Sequence, residues 1–270
     1  MQLLDAINQL KKEKNDSITE RGLMEVIKPH RNEEQHIEAF TILLESLNNN
    51  DFQIIHESTE LKIEINHVVG PRIAYLLCLG DYEESEISLM KNFIELDDNV
   101  LDIGAGMRLT SCYAAKLTNN EVIAVEPDAR LHPLIIKNAQ LNNASIIVID
   151  GCISSNANSS VVDFYINHEE FWFSSLNKGK NKDHKPPKKI KVLQLENLLS
   201  KYQPTVLILD IEGAEKYLFN KKYNHMPNKI IIEIHFQILG SQQASEVIND
   251  LTNLGYRIHN IAGSSFAFIR

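Results

Sequence analysis

The sequence predicts an α/β fold in which helices cover both faces of an open, mostly parallel β-sheet. From Ser85 onward, helical segments alternate with short apolar segments, which is the pattern of βαβ units. The apolar residues 100–103 run into a Gly104-Ala105-Gly106 turn, and about two dozen residues later the apolar residues 122–125 end at Glu126. Because parallel strands end at the same edge of a sheet, these two strand ends face one ligand-binding crevice.

The chain begins with a segment, residues 1–50, in which the spacing of apolar side chains predicts helices. One apolar stripe lies within residues 3–10 and a second within residues 37–47. Two short segments within residues 52–69 then have strand character, which is typical of an antiparallel hairpin. We therefore expect a helical segment over residues 1–50 and one main domain over residues 51–270.

The main domain shows its helices and strands as apolar segments separated by polar turns. A helix is expected to begin near Ser85, and a final pair of strands is expected at residues 256–261 and 263–269. The polar and basic residues 177–189 lack periodicity and predict a surface loop. The other predicted strands are residues 100–103, 122–125, 146–149, 206–209 and 230–234.

The composition is that of an ordinary globular protein, with 43% hydrophobic and 23% charged residues in a chain of 270. The formal net charge of -9 argues against a nucleic-acid or anionic-membrane partner. No apolar run is long enough to cross a bilayer and the first residues lack the features of a signal peptide, so we expect a cytoplasmic protein. Cys78, Cys112 and Cys152 lack the spacing of a zinc or redox site and are expected to be reduced packing residues.

The glycine turn indicates the class of cofactor. A dinucleotide-binding fold has a third glycine where this chain has Leu109, preceded by Arg108. The acidic Asp102 would repel a pyrophosphate, but it suits a cofactor that carries an ammonium and a sulfonium group. S-adenosylmethionine therefore fits better than NAD. A tight βα turn without any ligand is the alternative.

The predicted cofactor contacts follow from positions at the strand ends. Asp102, Gly104 and Ala105 are expected to shape the methionine pocket, Glu126 to bind the ribose, and the end of the third strand to lie near the adenine. Glu83 either reaches the amino group of the cofactor or is an exposed acid that precedes a helix. The complete predicted set is Glu83, Asp102, Gly104, Ala105, Gly106, Glu126, Pro127, Asp150, Gly151 and Cys152.

Seven motifs occur in order along residues 80–240: Gly80-Asp81-Tyr82-Glu83, residues 101–106 with Thr110-Ser111, Val125-Glu126-Pro127-Asp128, Asn138 with Leu141-Asn142, Ser174-Ser175-Leu176, residues 210–215, and Glu233-Ile234-His235. In this order they resemble the FkbM family of S-adenosylmethionine-dependent methyltransferases, and residues 210–215 are the most specific of them. The resemblance implies a seven-stranded, Rossmann-like class I methyltransferase fold and methyl transfer to a hydroxyl of a sugar, glycan or natural product. The chain departs from the family at Arg108, commonly a glycine, and at Ile208, commonly a lysine. A non-catalytic, cofactor-binding member is therefore the alternative.

Two neighbouring strand ends supply the candidate catalytic groups. Successive side chains of a strand point to opposite sides, so Asp210 and Glu212 share one side of their strand end, and Glu233 and His235 share one side of theirs. Transfer to a hydroxyl needs in-line positioning and removal of a proton, and His235 is our first choice of general base, with Asp210 the second. The same four groups could instead hold magnesium or manganese, but carboxylates beside a sulfonium have another reason to be present, so no metal is expected.

The acceptor is predicted only by class, as a small molecule or a glycan. Phe171, Trp172 and Phe173 either stack on a sugar face or belong to the core. The basic residues 177–189 are either a mobile surface loop or a clamp for an anionic acceptor. An NAD(P)-dependent oxidoreductase or epimerase is disfavoured by the absent third glycine. The sequence leaves the oligomeric state open.

Overall fold

The computed structural model describes residues 17–19, 37–38, 40–41, 52–66, 68–107, 109–154, 159–167, 174, 176 and 186–270. Four features named above lie outside this part of the chain. They are the apolar stripe within residues 3–10, Arg108, the cluster Phe171-Trp172-Phe173 and residues 177–185 of the basic segment. Residues 39 and 42–47 of the second apolar stripe and Ser175 also lie outside it.

The described chain folds into strands and helices that alternate through most of its length. The strands are β1 (Ser17–Thr19), β2 (Phe52–His56), β3 (Leu61–Ile65), β4 (Val100–Ile103), β5 (Val122–Glu126), β6 (Ile146–Asp150), β7 (Cys152–Ile153), β8 (Val161–Phe164), β9 (Lys188–Leu193), β10 (Val206–Leu209), β11 (Lys229–Glu233), β12 (Arg257–Ala262) and β13 (Ser265–Ile269). The helices are α1 (Pro71–Leu79), α2 (Glu84–Met90), α3 (Leu109–Leu117), α4 (His132–Leu141), α5 (Leu195–Tyr202) and α6 (Phe236–Asn253).

A seven-stranded sheet forms the centre of the domain, in the order β12-β13-β11-β10-β4-β5-β6. Strand β13 is antiparallel to both of its neighbours, and the other strands run parallel to one another. From β4 the chain builds outward through β5 and β6, and it then returns to the other side of β4 with β10 and β11. The prediction of a mostly parallel, Rossmann-like seven-stranded sheet is confirmed.

Both faces of the sheet are covered because successive side chains of a strand point to opposite sides. In β10, Val206 and Ile208 join the core beneath α2, α3 and α4, whereas Leu207 and Leu209 join the core beneath α5 and α6. None of these four side chains is more than 2% exposed. The unbroken apolar run that predicted this strand is therefore the consequence of burial on both faces.

The hairpin expected before the main domain consists of β2 and β3, and β1 adds to it in parallel. Strand β1 lies within residues 1–50, for which only helices were predicted. Ile37, Glu38, Phe40 and Thr41 are helical, and Phe40 is fully buried in the core. The segment thus contributes both a strand and helical residues to the fold.

Two asparagines of α4 attach this hairpin to the main domain. The backbone N–H of Lys62 donates to Oδ1 of Asn142 (2.8 Å), and the backbone N–H of Glu64 donates to Oδ1 of Asn138 (2.9 Å). The two asparagines are four residues apart and lie on one helix face, where they meet every second residue of β3. These motif residues therefore have a structural role.

The sequence reasoning missed α1, α5, α6 and a small sheet in the order β7-β9-β8. The acidic residues within 212–215 are typical of a helix N-terminus and indicate that a helix opens at Glu212. That prediction is wrong, because Glu212 has a φ of 51° and only Glu215–Tyr217 forms a short 3-10 helix. Lys188 and Lys189, at the end of the predicted loop, belong to strand β9. Within the described residues, no helix combines the length and apolarity needed to span a bilayer.

Candidate functional site

A cavity lies at the carboxyl ends of β4, β5 and β10, with an empty volume of about 770 Å³. The cavity lies at the point where the strand order reverses, which is where ligands bind in open α/β sheets. Four acidic residues line it, namely Glu83, Glu126, Asp210 and Glu212, and no Lys, Arg or His is among its described lining residues. The cavity therefore favours a cationic ligand over a pyrophosphate.

The glycine turn after β4 forms the floor of this cavity. The backbone N–H groups of Gly104 and Ala105 both donate to the carbonyl oxygen of Val125, at 3.0 and 3.2 Å. Gly104 has a φ of 85°, and a Cβ added there would lie 1.7 Å from the carbonyl oxygen of Asp210. Only glycine permits this close crossing of the turn beneath the end of β10.

Glu126, at the end of β5, is 5% exposed and lines the cavity. Its Oε2 accepts the N–H of Gly106 at 2.9 Å, and its Oε1 accepts the N–H of Asp128 at 2.7 Å. A carboxylate offers about four acceptor positions, and these two bonds fix its orientation in the cavity wall. This geometry fits the ribose-binding role predicted for Glu126.

Asp102 lies behind the glycine turn and does not line the cavity. It is 2% exposed, and its Oδ2 accepts the hydroxyls of Thr110 (3.0 Å) and Ser111 at the start of α3. Glu83 accepts the N–H of Thr110 at 3.0 Å and also lines the cavity. Burial, followed by the charges of Glu86 and Asp102, raises the pKa of Glu83 to about 8.

The structure brings most of the predicted cofactor residues to one cavity. Asp102, Ala105 and Asp150 are outside its lining: Ala105 is buried and Asp150 is exposed. The sequence reasoning missed Tyr82, which precedes Glu83 in its motif, and Leu131 and Phe164, which carried no recognisable signal. The predicted residues that line the cavity are Glu83, Gly104, Gly106, Glu126, Pro127, Gly151 and Cys152.

The four predicted catalytic residues meet beside this cavity, around the ring of His235. Its Nε2 lies 3.4 Å from Oδ1 of Asp210, and 3.7 Å from oxygens of both Glu212 and Glu233. Its Nδ1 lies 2.5 Å from Oε1 of Glu215, which is fully buried. The sequence reasoning had assigned Glu215 only to a helix terminus. We call these five residues the histidine–carboxylate cluster.

The protonation of His235 in this cluster differs from that of a general base. Burial lowers its pKa, but the carboxylates of Glu212, Glu215 and Asp210 raise it more, to about 11. The imidazole is therefore protonated near neutral pH, and this arrangement does not support the general-base role predicted for it. Burial and the charge of Glu233 raise the pKa of Asp210 well above its usual range, which suits the second predicted base.

A second cavity adjoins the first and shares Leu176, Ile211 and Glu212 with it. Its wall includes Tyr217, which is 44% exposed, and Lys216, whose Nζ lies 4.8 Å from the centre of the Tyr217 ring. Asp163 and Tyr165 also line this cavity. The two cavities therefore meet at Glu212, which belongs to the histidine–carboxylate cluster.

The strand order, with β13 antiparallel to its neighbours, is that of a Rossmann-like class I methyltransferase fold. The acidic cavity lies at the point where this strand order reverses. The sequence model of the methyltransferase FkbM domain matches residues 102–258, which is more than half of the chain. The chain therefore belongs to the FkbM methyltransferase family. Family and fold together support a methyltransferase that uses S-adenosylmethionine. No curated protein matches the chain by sequence.

Similar solved structures include a methyltransferase from Pyrococcus furiosus, with 15% identity, a TM-score of 0.43, and coverage of 87% of this chain and 96% of that one. Precorrin-6y C5,15-methyltransferase from Geobacter metallireducens has 13% identity, a TM-score of 0.40, and coverage of 68% and 84%. The tRNA (uracil-54, C5)-methyltransferase from Pyrococcus abyssi in complex with S-adenosyl-L-homocysteine has 11% identity, a TM-score of 0.39, and coverage of 81% and 43%. The fold assignment rests on the strand order and the family match.

The cavity residues fit S-adenosylmethionine. Burial and the charges of neighbouring carboxylates raise the pKa values of Glu83 and Asp210, which means that a cation entering the cavity would relieve unfavourable charge. A sulfonium and an ammonium group supply that positive charge, while Glu126 is held in place to accept ribose hydroxyls. Ile208, where the family commonly has lysine, is 2% exposed in the core and does not line the cavity.

Proposed function

We propose that this protein methylates a hydroxyl group of a sugar, glycan or other small polar acceptor. The observation that supports the proposal is the position of Glu212, which lines both cavities and lies beside Asp210 and His235. A donor in the first cavity and an acceptor in the second would meet at the histidine–carboxylate cluster. Holding two reactants in line is the main requirement of methyl transfer.

The second cavity suits an acceptor that is polar and partly flat. Tyr165 and Tyr217 offer aromatic faces of the kind that pack against sugar rings, and Asp163 offers acceptors for hydroxyl groups. Lys216 supplies a positive charge for an acceptor that carries an anionic group. These features favour a hydroxylated acceptor.

The cluster also contains a group that can take the acceptor's proton. Asp210 lines the donor cavity, and its raised pKa brings its proton affinity closer to that needed for a base at neutral pH. As the acceptor oxygen forms its bond to the methyl carbon, the carbon–sulfur bond breaks and the hydroxyl proton passes to Asp210. The products are a methyl ether and S-adenosylhomocysteine, and the protonated His235 stabilises the neighbouring negative charge.

Methyl transfer to a panel of sugars and small polyols tests this proposal, with S-adenosylhomocysteine release as the measured quantity. The wild type should yield a methyl ether, identified by the chemical shift of the new methyl group. We expect Asp210→Asn to lower kcat by about 10²- to 10⁴-fold through loss of the base. Glu246→Gln, at an exposed position of α6, is the matched control and should retain full activity.

Two results would contradict the proposal. Methyl groups found on nitrogen or carbon would retain the enzyme class but exclude the hydroxyl acceptor. Tight binding of S-adenosylhomocysteine with no turnover across the panel would favour the non-catalytic binding protein, which Arg108 motivates as a departure from the family pattern.

A further inference from the structure

Three carboxylates face the same nitrogen atom of His235 at distances unlike those of ordinary hydrogen bonds. Nε2 lies 3.4 Å from Asp210, 3.7 Å from Glu212 and 3.7 Å from Glu233, whereas N–H···O bonds cluster at about 2.7–3.2 Å. Two ligand atoms that share one metal ion at about 2.1 Å are separated by about 3.0–3.7 Å for ordinary coordination angles. Ligand atoms of Asp210, Glu233 and His235 all lie within 4.8 Å of one another.

The other nitrogen of His235 is oriented as it is in metal sites. Nδ1 lies 2.5 Å from Oε1 of Glu215, a residue with no exposed surface. A histidine that binds a metal usually donates its second ring N–H to a carboxylate, which fixes the tautomer and aims the free nitrogen at the ion. Glu215 therefore directs Nε2 towards the carboxylates of Asp210 and Glu233.

Asp210 supplies an independent observation. Its Oδ1 is buried from solvent and makes no hydrogen bond, and its nearest charged neighbour is Nε2 of His235 at 3.4 Å. Within the described residues, His235 is the only cationic side chain paired with Asp210, Glu215 or Glu233. The Asp210 side chain as a whole is 40% exposed, but Glu215 is fully buried and its Oε2 likewise makes no hydrogen bond. Carboxylate oxygens that are shielded from water and make no hydrogen bond are unfavourable, and a cation held by the cluster would lower that cost.

We propose that Asp210, Glu233 and His235 bind one divalent cation of the magnesium or manganese type, with Glu215 as the positioning residue. The ion takes the place of the Nε2 proton that His235 carries in the metal-free protein, and the ring keeps its Nδ1 proton, which it donates to Glu215. Oxygen ligands suit both ions, and the imidazole favours manganese over calcium. Metal binding at this site is independent of the methyl acceptor. Its catalytic role rests on the proposed function: the ion would coordinate the acceptor hydroxyl at the junction of the two cavities and lower its pKa. Asp210 binds the ion through one carboxylate oxygen and takes the hydroxyl proton on the other.

The test uses the full chain after EDTA treatment, with Mn²⁺ as the probe. Calorimetry should detect one bound ion, and pulsed electron paramagnetic resonance should show a nitrogen coupling from His235. Asp210→Asn, Glu233→Gln and His235→Gln should each weaken binding at least tenfold, and His235→Gln should abolish the nitrogen coupling. Glu215→Gln should weaken binding by about 10- to 100-fold while the coupling persists. Glu246→Gln is the control and should bind Mn²⁺ as the wild type does.

The nitrogen coupling is measured on the Mn²⁺-loaded wild type. The site can therefore be tested even if a ligand variant fails to fold. Binding without nitrogen coupling, or binding that is equally tight in every folded ligand variant, would overturn the site. Full methyl transfer by the EDTA-treated protein would overturn the catalytic role of the ion and leave the proposed function standing. Mn²⁺ bound as described, with no acceptor methylated, would support the site and contradict the proposed function.

Discussion

Two buried histidines of this protein have pKa values displaced in opposite directions, because their neighbours differ. His56 is 1% exposed, with Nδ1 2.8 Å from the hydroxyl of Thr59, and burial lowers its pKa to about 4. His235 is also largely buried, but the surrounding carboxylates raise its pKa to about 11. The sequence identifies the residue type, whereas only the fold determines its charge.

Titration of His56 should make the protein less stable in acid. In the unfolded chain a histidine has a pKa of about 6.5, so between about pH 6.5 and pH 4 the unfolded state binds more protons than the folded state. The contribution of His56 to the free energy of unfolding is therefore fully present above about pH 6.5. It is lost as the pH falls towards 4, which lowers the free energy of unfolding by about 3 kcal/mol. Urea denaturation of the wild type and His56→Gln from pH 4 to 7.5 measures this loss as a pH-dependent difference. Parallel profiles for the two proteins would contradict the assignment.

At the level of secondary structure, the central sheet could be predicted because its strands are buried. Residues 206–209 and 100–103 match β10 and β4 at both ends, and residues 122–125 stop one residue before the end of β5. Apolar side chains are required on both faces of such strands, so each appears as an unbroken apolar run. The acids at the ends of these strands could be located because each follows directly on an apolar run.

The elements that escaped prediction lack this signal. In β9 the side chains of Lys188, Lys189 and Lys191 are exposed, so the start of the strand was predicted as part of a basic loop. Helix α6 is interrupted at Gly240, where the backbone leaves the helical region. Phe164 reaches the cavity from β8, part of the small sheet that was missed. Cavity walls supplied by distant segments could not be predicted from local patterns.

Substitution of Gly104 should damage the turn that carries the site. The left-handed φ of 85° disfavours any side chain, and the added Cβ would lie 1.7 Å from the carbonyl oxygen of Asp210. Gly240→Ala is a matched control, because its φ is 72° but no atom lies within 4 Å of the new Cβ. We expect a loss of about 1–3 kcal/mol for Gly240→Ala. Gly104→Ala should lose more and should no longer bind S-adenosylhomocysteine. Urea denaturation and calorimetry measure both effects, and equal losses would contradict the steric argument.

At the level of the whole molecule, the strand order gathers acids that are far apart in sequence. Glu126 ends β5, Asp210 follows β10 and Glu233 ends β11, and the register of the parallel strands places all three at one edge of the sheet. The reversal of strand order beside β4 opens the crevice between them. The acidic site is thus a property of the topology, and its charge selects a cationic cofactor.

Binding of S-adenosylhomocysteine should therefore stabilise the whole domain. A ligand at about 100 times its Kd stabilises the folded state by about 2.7 kcal/mol, which corresponds to a rise in Tm of about 5–10 °C for a chain of this size. Glu126→Gln should bind at least tenfold more weakly, because an amide cannot accept both backbone N–H groups and the ribose hydroxyls, so most of the rise should disappear. Thermal unfolding followed by circular dichroism measures the shift, with Glu246→Gln as the control protein and NAD as the control ligand. A shift of equal size with NAD, or an undiminished shift in Glu126→Gln, would show that the acidic cavity is not the cofactor site.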